Sequence, residues 1–254
     1  MKFFKRIRRR LIVSKRLKAY LLYATGEIVL VVIGILIALA IDTGIQRRAL
    51  RATEREYLAG LREEFLLSRH KLDELMRVNR SNYAVGCELA GFLRGGGAPP
   101  SEQALAEMVY RTFASDIAFS PNNSLLLEII NGGSLQLLSD QRLRIMLTDW
   151  MATLTDVAQQ ESDLYAQREK VVDLFRSPET SVRTVLDLTG VSANELGLAP
   201  VEHHASNLAL LESGAFENGL LLFLLTTRAT DQEHYVPLRG QLQAILEALD
   251  RQLE

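Results

Sequence analysis

One cysteine, Cys87, is all the thiol chemistry this 254-residue chain carries. An internal disulfide is therefore excluded, and any folded part outside a reducing compartment must be held by its core alone. Proline is absent before Pro99, so nothing in the first 98 residues forbids one long helix. No acidic residue precedes Glu27. H-E-x-x-H, G-x-S-x-G, a P-loop and G-x-G-x-x-G are all missing, which removes the usual signatures of zinc proteases, serine hydrolases and nucleotide-binding folds. No stretch alternates apolar and polar residues over a useful strand length, and no internal repeat is present. The expected fold class is all-α.

What is present dominates the N-terminal part. Residues 20–41 read YLLYATGEIVLVVIGILIALAI, and residues 28–41 contain only apolar side chains and one glycine. Twenty-two helical residues at about 1.5 Å each extend roughly 33 Å, enough to cross a bilayer core. The run exceeds the roughly 7–15 apolar residues of a cleavable signal, and it leads into charged helix without a cleavage motif. A single transmembrane helix over 20–41 is expected.

The flanks predict its orientation. Lys2, Lys5, Arg6, Arg8, Arg9, Arg10, Lys15, Arg16 and Lys18 precede the span. After it, Arg47, Arg48, Arg51 and Arg55 are interleaved with Asp42, Glu54 and Glu56. The positive-inside rule then places the tail, 1–19, in the cytoplasm and residues 42–254 outside, in the periplasm of a Gram-negative cell. The nine cations suit anionic headgroups of the inner leaflet at about 1 kcal/mol each. Phe3, Phe4, Ile7, Leu11, Ile12, Val13 and Leu17 supply apolar anchors for an interfacial helix, which favours membrane over nucleic acid. Setting aside those nine cations, Glu27 and Asp42 leaves 20 basic and 29 acidic residues, a net charge of −9. An exported part that acidic is a poor partner for nucleic acid.

Further along, apolar residues at Leu58, Leu61, Phe65, Leu72, Leu75 and Met76 predict a continuing helix to about residue 94, with Gly44 as the place for a bend. Residues 95–100, GGGAPP, end it. Ser101 caps a short helix to about Phe113, and a second short helix spans roughly 122–131 before Gly132 and Gly133. Ser139 is the expected cap of a long helix. Its stripe runs Leu143, Leu147, Trp150, Leu154, Val157, Leu164, Val171 and Phe175, with Glu161 and Arg168 as polar exceptions. Pro178 closes that helix. Short helices around Gly190, a break at 197–200, the apolar run 220–225 as the centre of a core, and a last helix over about 234–253 complete a helical-bundle domain. Cys87 is expected to be a small buried hydrophobe.

Two segments carry a resemblance. Residues 26–39 follow G-E-[IL]-x-L-V-x-x-G-I-L-I-A-L, and residues 135–144 follow L-x-L-[IL]-x-D/N-x-x-L-R after a serine/glycine break. Together they resemble a family of bacterial single-span membrane proteins, common in Bacteroidetes, with no established activity. Ala40-Ile41-Asp42 departs from the Gln-Ile-Asn of many members. The resemblance implies a short cytoplasmic tail, one anchor and a helical exported domain.

The candidate site is in the anchor. An ionisable residue within a span is costly and marks function by default. Glu27, Gly34 and Ala38 share one helix face, and Gly34 and Ala38 form a small-xxx-small pair suited to close helix packing. The expected function is a membrane-anchored, non-enzymatic scaffold or interaction protein that forms a homo-oligomer through this face, with a membrane or periplasmic protein as a further partner. An ion-coupled component using Glu27, resembling the single-span partners of stator-type motors, and an exported hydrolase remain the alternatives. His203 and His204 beside Glu202 lack the converging ligands a metal needs, so no metal, cofactor or catalytic residue is expected.

Overall fold

The computed structural model describes residues 15–95, 98–115 and 117–254. The chain is all-α, and no strand occurs among the described residues. It divides into two units, 1–56 and 57–254. The first helix, α1, covers Lys15–Ala90 and is helical at every residue, Gly44 included, so the expected bend does not interrupt it.

Within the first unit no described side chain is buried. The second unit owns the core. Here α1 presents a strict 3-4 alternation: Leu58, Leu61, Phe65, Ser68, Leu72, Leu75, Asn79, Asn82, Gly86 and Leu89. All are buried except the half-buried Leu75. This is a heptad seam, with the a and d positions facing inward. Cys87 lies one position off the seam and is exposed, which corrects the expectation of a buried thiol. Gly86 takes the inward position instead, and a Cβ there would stand 2.7 Å from Leu224 Cδ2 and 3.2 Å from Thr112 Cγ2. The missing side chain lets the two helices approach.

Helix α2 covers Glu102–Phe113, and the Ser101 hydroxyl accepts from the Ala104 N–H at 3.1 Å as an N-cap. Helix α3, Ser124–Asn131, has no side-chain cap of its own. Glu64 of α1 supplies one across the fold, accepting from the Leu125 and Leu126 N–H groups at 2.7 and 3.2 Å. Gly133 follows at φ 68°, where a side chain would be strained. Helix α4, Gln141–Val172, is capped by Asp140 and not by Ser139: its Oδ1 accepts from the Arg142 and Leu143 N–H groups at 2.7 and 3.2 Å. Two short helices, α5 (Val182–Leu188) and α6 (Val191–Asn194), flank Gly190. Helix α7 is Gly214–Ala229, followed without a break by a π-helical turn, Thr230–Tyr235, and by α8, Val236–Leu253. The run 220–225 is only half core. Leu220, Phe223 and Leu224 are buried, whereas Leu221, Leu222 and Leu225 are exposed, because one helix cannot turn six consecutive residues inward.

Polar pairs set the register between α1 and the run from α7 to α8. Arg62 meets Asp250 (2.5 Å), Arg69 meets Gln243 (3.3 Å), Asp73 meets Arg239 (2.6 Å), Arg80 meets Asp231 (3.0 Å) and Arg94, just past α1, meets Glu217 (2.5 Å). As the first partner advances by seven, four, seven and fourteen residues, the second retreats by seven, four, eight and fourteen. The elements are antiparallel. The single extra residue falls between Arg239 and Asp231, where the π turn lies. A π turn carries one residue more than an α turn. Pro237, which lacks an N–H and crowds the preceding turn, stands two residues beyond it.

That turn delivers Tyr235 into the core. Its hydroxyl, fully buried, donates to Glu161 Oε1 at 2.7 Å, and the Phe119 N–H donates to the same oxygen at 2.9 Å. Burial first, then the facing carboxylate, raises the Tyr235 pKa. Glu161, a polar exception in the α4 stripe, is thus a buried acceptor that joins three segments. Arg168 donates to the Phe113 carbonyl at 2.6 Å and pairs with Glu169 at 2.8 Å. Trp150, the single tryptophan, packs nearby against Phe65 at a ring distance of 5.2 Å and Phe119 at 6.4 Å.

Removing one buried donor or orphaning one costs about 1–3 kcal/mol. Tyr235→Phe is expected to lower stability by that amount, and Glu161→Ala by about 2–6 kcal/mol because it orphans two donors. Guanidinium unfolding followed by Trp150 fluorescence measures both. A Tyr235→Phe variant as stable as wild type would show that the hydroxyl does not pin Glu161.

Candidate membrane anchor and polar centres of the helical unit

The apolar segment is long enough and apolar enough to span a membrane, with a mean hydropathy of 2.8 over its best window and none of that window buried. Its side chains are apolar on every face from 28 to 41, far wider than the stripe of about 100° with which a soluble helix meets its core. Glu27, Gly34 and Ala38 are all exposed on the helix. At 100° per residue they fall within about 40° of one another. A Cβ at Gly34 would meet nothing within 4 Å. Of the nine cations, Lys2, Lys5, Arg6, Arg8, Arg9 and Arg10 lie outside the described residues, while Lys15, Arg16 and Lys18 stand in the opening turns of α1.

Three further centres, two polar and one apolar, lie in the second unit and join residues distant in sequence. The first is a clasp around Asp187, near the end of α5. Its side chain is fully buried. Arg183 Nε lies 2.8 Å from Oδ1, and the Val201 N–H and His204 Nε2 reach Oδ2 at 3.0 and 3.4 Å. Burial alone would raise its pKa. The neighbouring Ser192 hydroxyl, the Val201 N–H and Arg183 outweigh that and hold it at about 2. Ser192 Oγ makes no hydrogen bond of standard geometry and none to His204, so serine, histidine and aspartate do not form a nucleophilic relay. The clasp instead fastens the loop 195–207. Arg183 also donates to the Ala199 carbonyl (2.5 Å) and Thr184 to the Ala205 carbonyl (2.7 Å). Glu102 accepts from the Ser206 hydroxyl (2.6 Å) and the Asn207 N–H (2.7 Å). His203 and Glu202 face solvent.

The second centre is a groove of about 810 Å³ between α1 and α8, lined by Arg69, Asp73, Met76, Arg80, Val236, Arg239, Gly240 and Gln243. A smaller hollow of about 360 Å³ shares four of these and adds Arg77. The third is an apolar hollow of about 220 Å³ between α2, α4 and α5, walled by Val109, Phe113, Val172, Phe175 and Val185, with Arg168 at its edge. Among the described residues, no three His, Cys, Asp or Glu side chains gather as a metal site would require. Pairings such as Asp187 with His204, or Arg69 with Gln243, join residues on separate elements, and no single-sequence spacing reveals them.

No family model, curated protein or solved structure matches this chain.

The folded value of Asp187, about 2, lies below its ordinary 3.8. Its stabilising contribution is therefore complete above about pH 4 and is lost as pH falls through the folded value. Protection over 195–207, measured as exchange relative to the intrinsic amide rate at each pH, is expected to fall between pH 4 and 2. Asp187→Asn should show that loss already at pH 7, and a loop equally protected in that variant would remove the clasp.

Proposed function

We propose that this chain is a single-span membrane protein of the inner membrane, with a cytoplasmic N-terminus and a periplasmic helical domain that acts as a non-enzymatic scaffold. One observation carries the anchor: the unburied run 28–41. Its eleven large aliphatic side chains are 47–73% exposed. Covering each is worth about 1.5–3 kcal/mol, so leaving them in water forfeits more than the 5–15 kcal/mol that holds a typical domain together. A partner helix would cover one stripe only, whereas lipid covers the whole circumference. The nine cations before the span and the mixed charges after it support the orientation.

Self-association through Glu27, Gly34 and Ala38 is the second part of the reading. A carboxyl group on the same face as a small-xxx-small pair gains a hydrogen-bond partner in a helix–helix contact and none in lipid. The resemblance of residues 26–39 to the bacterial single-span family agrees with the anchor. It adds no activity.

Cys87 makes the orientation directly measurable, since it is the single cysteine and is exposed. The protein is expected to stay with membranes after alkaline carbonate extraction. In spheroplasts its thiol should react with a membrane-impermeant maleimide. Labelling only after lysis would reverse the orientation, and release by carbonate would remove the span. Native mass spectrometry of the protein in nanodiscs should show an oligomer that Gly34→Leu dissolves. If Glu27→Gln leaves that oligomer intact but abolishes proton or sodium flux through it, the ion-coupled reading replaces the scaffold.

A further inference from the structure

The helical unit 57–254 holds 16 basic against 27 acidic side chains, a net charge of −11. Against that background, the groove between α1 and α8 and its adjoining hollow collect four arginines: Arg69, Arg77, Arg80 and Arg239. We propose that this groove binds an elongated, multiply charged oxyanion of the polyphosphate class.

The arrangement of charge favours this ligand. The nearby acids are each engaged by one guanidinium: Asp73 by Arg239, Glu74 by Arg77 and Asp231 by Arg80. Arg69 has no carboxylate among the described residues and donates only to the neutral Gln243 Oε1 at 3.3 Å. The surplus positive charge therefore sits at Arg69. Guanidinium forks match phosphate oxygens two at a time. Arg69 and Arg80 stand about 16 Å apart along α1 by helix rise, with Arg239 entering from α8 at the level of Asp73 between them. Guanidinium forks spread over that length suit a chain of phosphates better than a single one, with Arg69 supplying the charge that no carboxylate matches.

The groove's lining points the same way. Gly240 lies inside α8, where glycine costs about 1 kcal/mol relative to alanine. No close packing requires it, because a Cβ there would meet nothing within 4 Å. Its absent side chain keeps the groove open. The Arg239–Asp73 pair also stitches α1 to α8, but an exposed pair of this kind contributes only about 0–1 kcal/mol, so drawing Arg239 toward a ligand oxygen costs little. Stitching alone gives no reason for glycine in the lining. The inference holds whether or not residues 20–41 span a membrane.

The test uses the full chain in nanodiscs of neutral lipid at fixed ionic strength, with inorganic tripolyphosphate as the probe. Hydrogen exchange of segments 69–80 and 236–243 gives a local readout, which anion binding to the basic tail does not affect. Calorimetry gives the affinity. Tripolyphosphate is expected to protect both segments and to bind at least tenfold tighter than orthophosphate. Arg69→Ala should weaken that protection-linked binding about tenfold or more. Gly240→Leu, which adds bulk to the groove wall without changing charge and should leave the fold intact, should abolish it. Arg251→Ala, an exposed cation of the same helix outside the groove, should leave it unchanged. Exchange that tripolyphosphate does not alter in either segment overturns the proposal. So does protection that survives Gly240→Leu, or an Arg251→Ala loss equal to that of Arg69→Ala.

Discussion

The helical unit depends on the antiparallel match between the seam of α1 and the continuous run from α7 through the π turn to α8. A heptad seam fixes which residues of α1 face inward, and the polar pairs along its edge fix how far α1 is slid against its partner. The two requirements must agree. Over the α1 turns from Arg62 to Arg80 they agree only because the partner carries one additional residue at 230–235. An α-helical partner of ordinary pitch would satisfy either the pairs below Pro237 or those above it. The π turn reconciles them, and in doing so rotates Tyr235 onto Glu161.

Much of the architecture was legible in sequence because it rests on local rules. Ser101 capping α2, the left-handed Gly133 after α3, the α4 stripe and the breaks at 95–100 and 178 all follow from short-range backbone chemistry. The inward face of α1 is harder to read, because a seam position announces itself only where its residue is apolar. Ser68, Asn79, Asn82 and Gly86 occupy inward positions of α1 with a polar group or no side chain at all. Ser68 Oγ donates to the Asn122 carbonyl and accepts from its N–H, and Asn79 Nδ2 donates to the Thr227 carbonyl. The general tendency of free cysteine to be buried therefore misleads at Cys87. A 3-4 count from Leu58 reaches Gly86 and leaves the thiol outside.

The two kinds of candidate site differ in legibility for a similar reason. Glu27, Gly34 and Ala38 lie on one helix, so spacing alone gathers them. Arg69 and Gln243 are separated by 174 residues, and Asp187 and His204 are gathered by a loop whose path no periodicity encodes. Charge counting could have gone one step further, because the cations Arg69, Arg77 and Arg80 cluster within three turns of an otherwise acidic unit. It would not have found Arg239 or the opening above Gly240.

The same antiparallel match bears on how the protein is made. The seam of α1 ends at Leu89, while the residues that complete it extend to Asp250. At roughly 5–20 residues per second of synthesis, α1 waits about 8–30 s after its own last turn before its final partner is polymerised. During that interval α1 can pack on α3 and α4, through Glu64 and Phe65, but has no C-terminal helix to fix its register. A ribosome stalled anywhere before α8 leaves that edge of α1 uncovered for holdase chaperones to recognise.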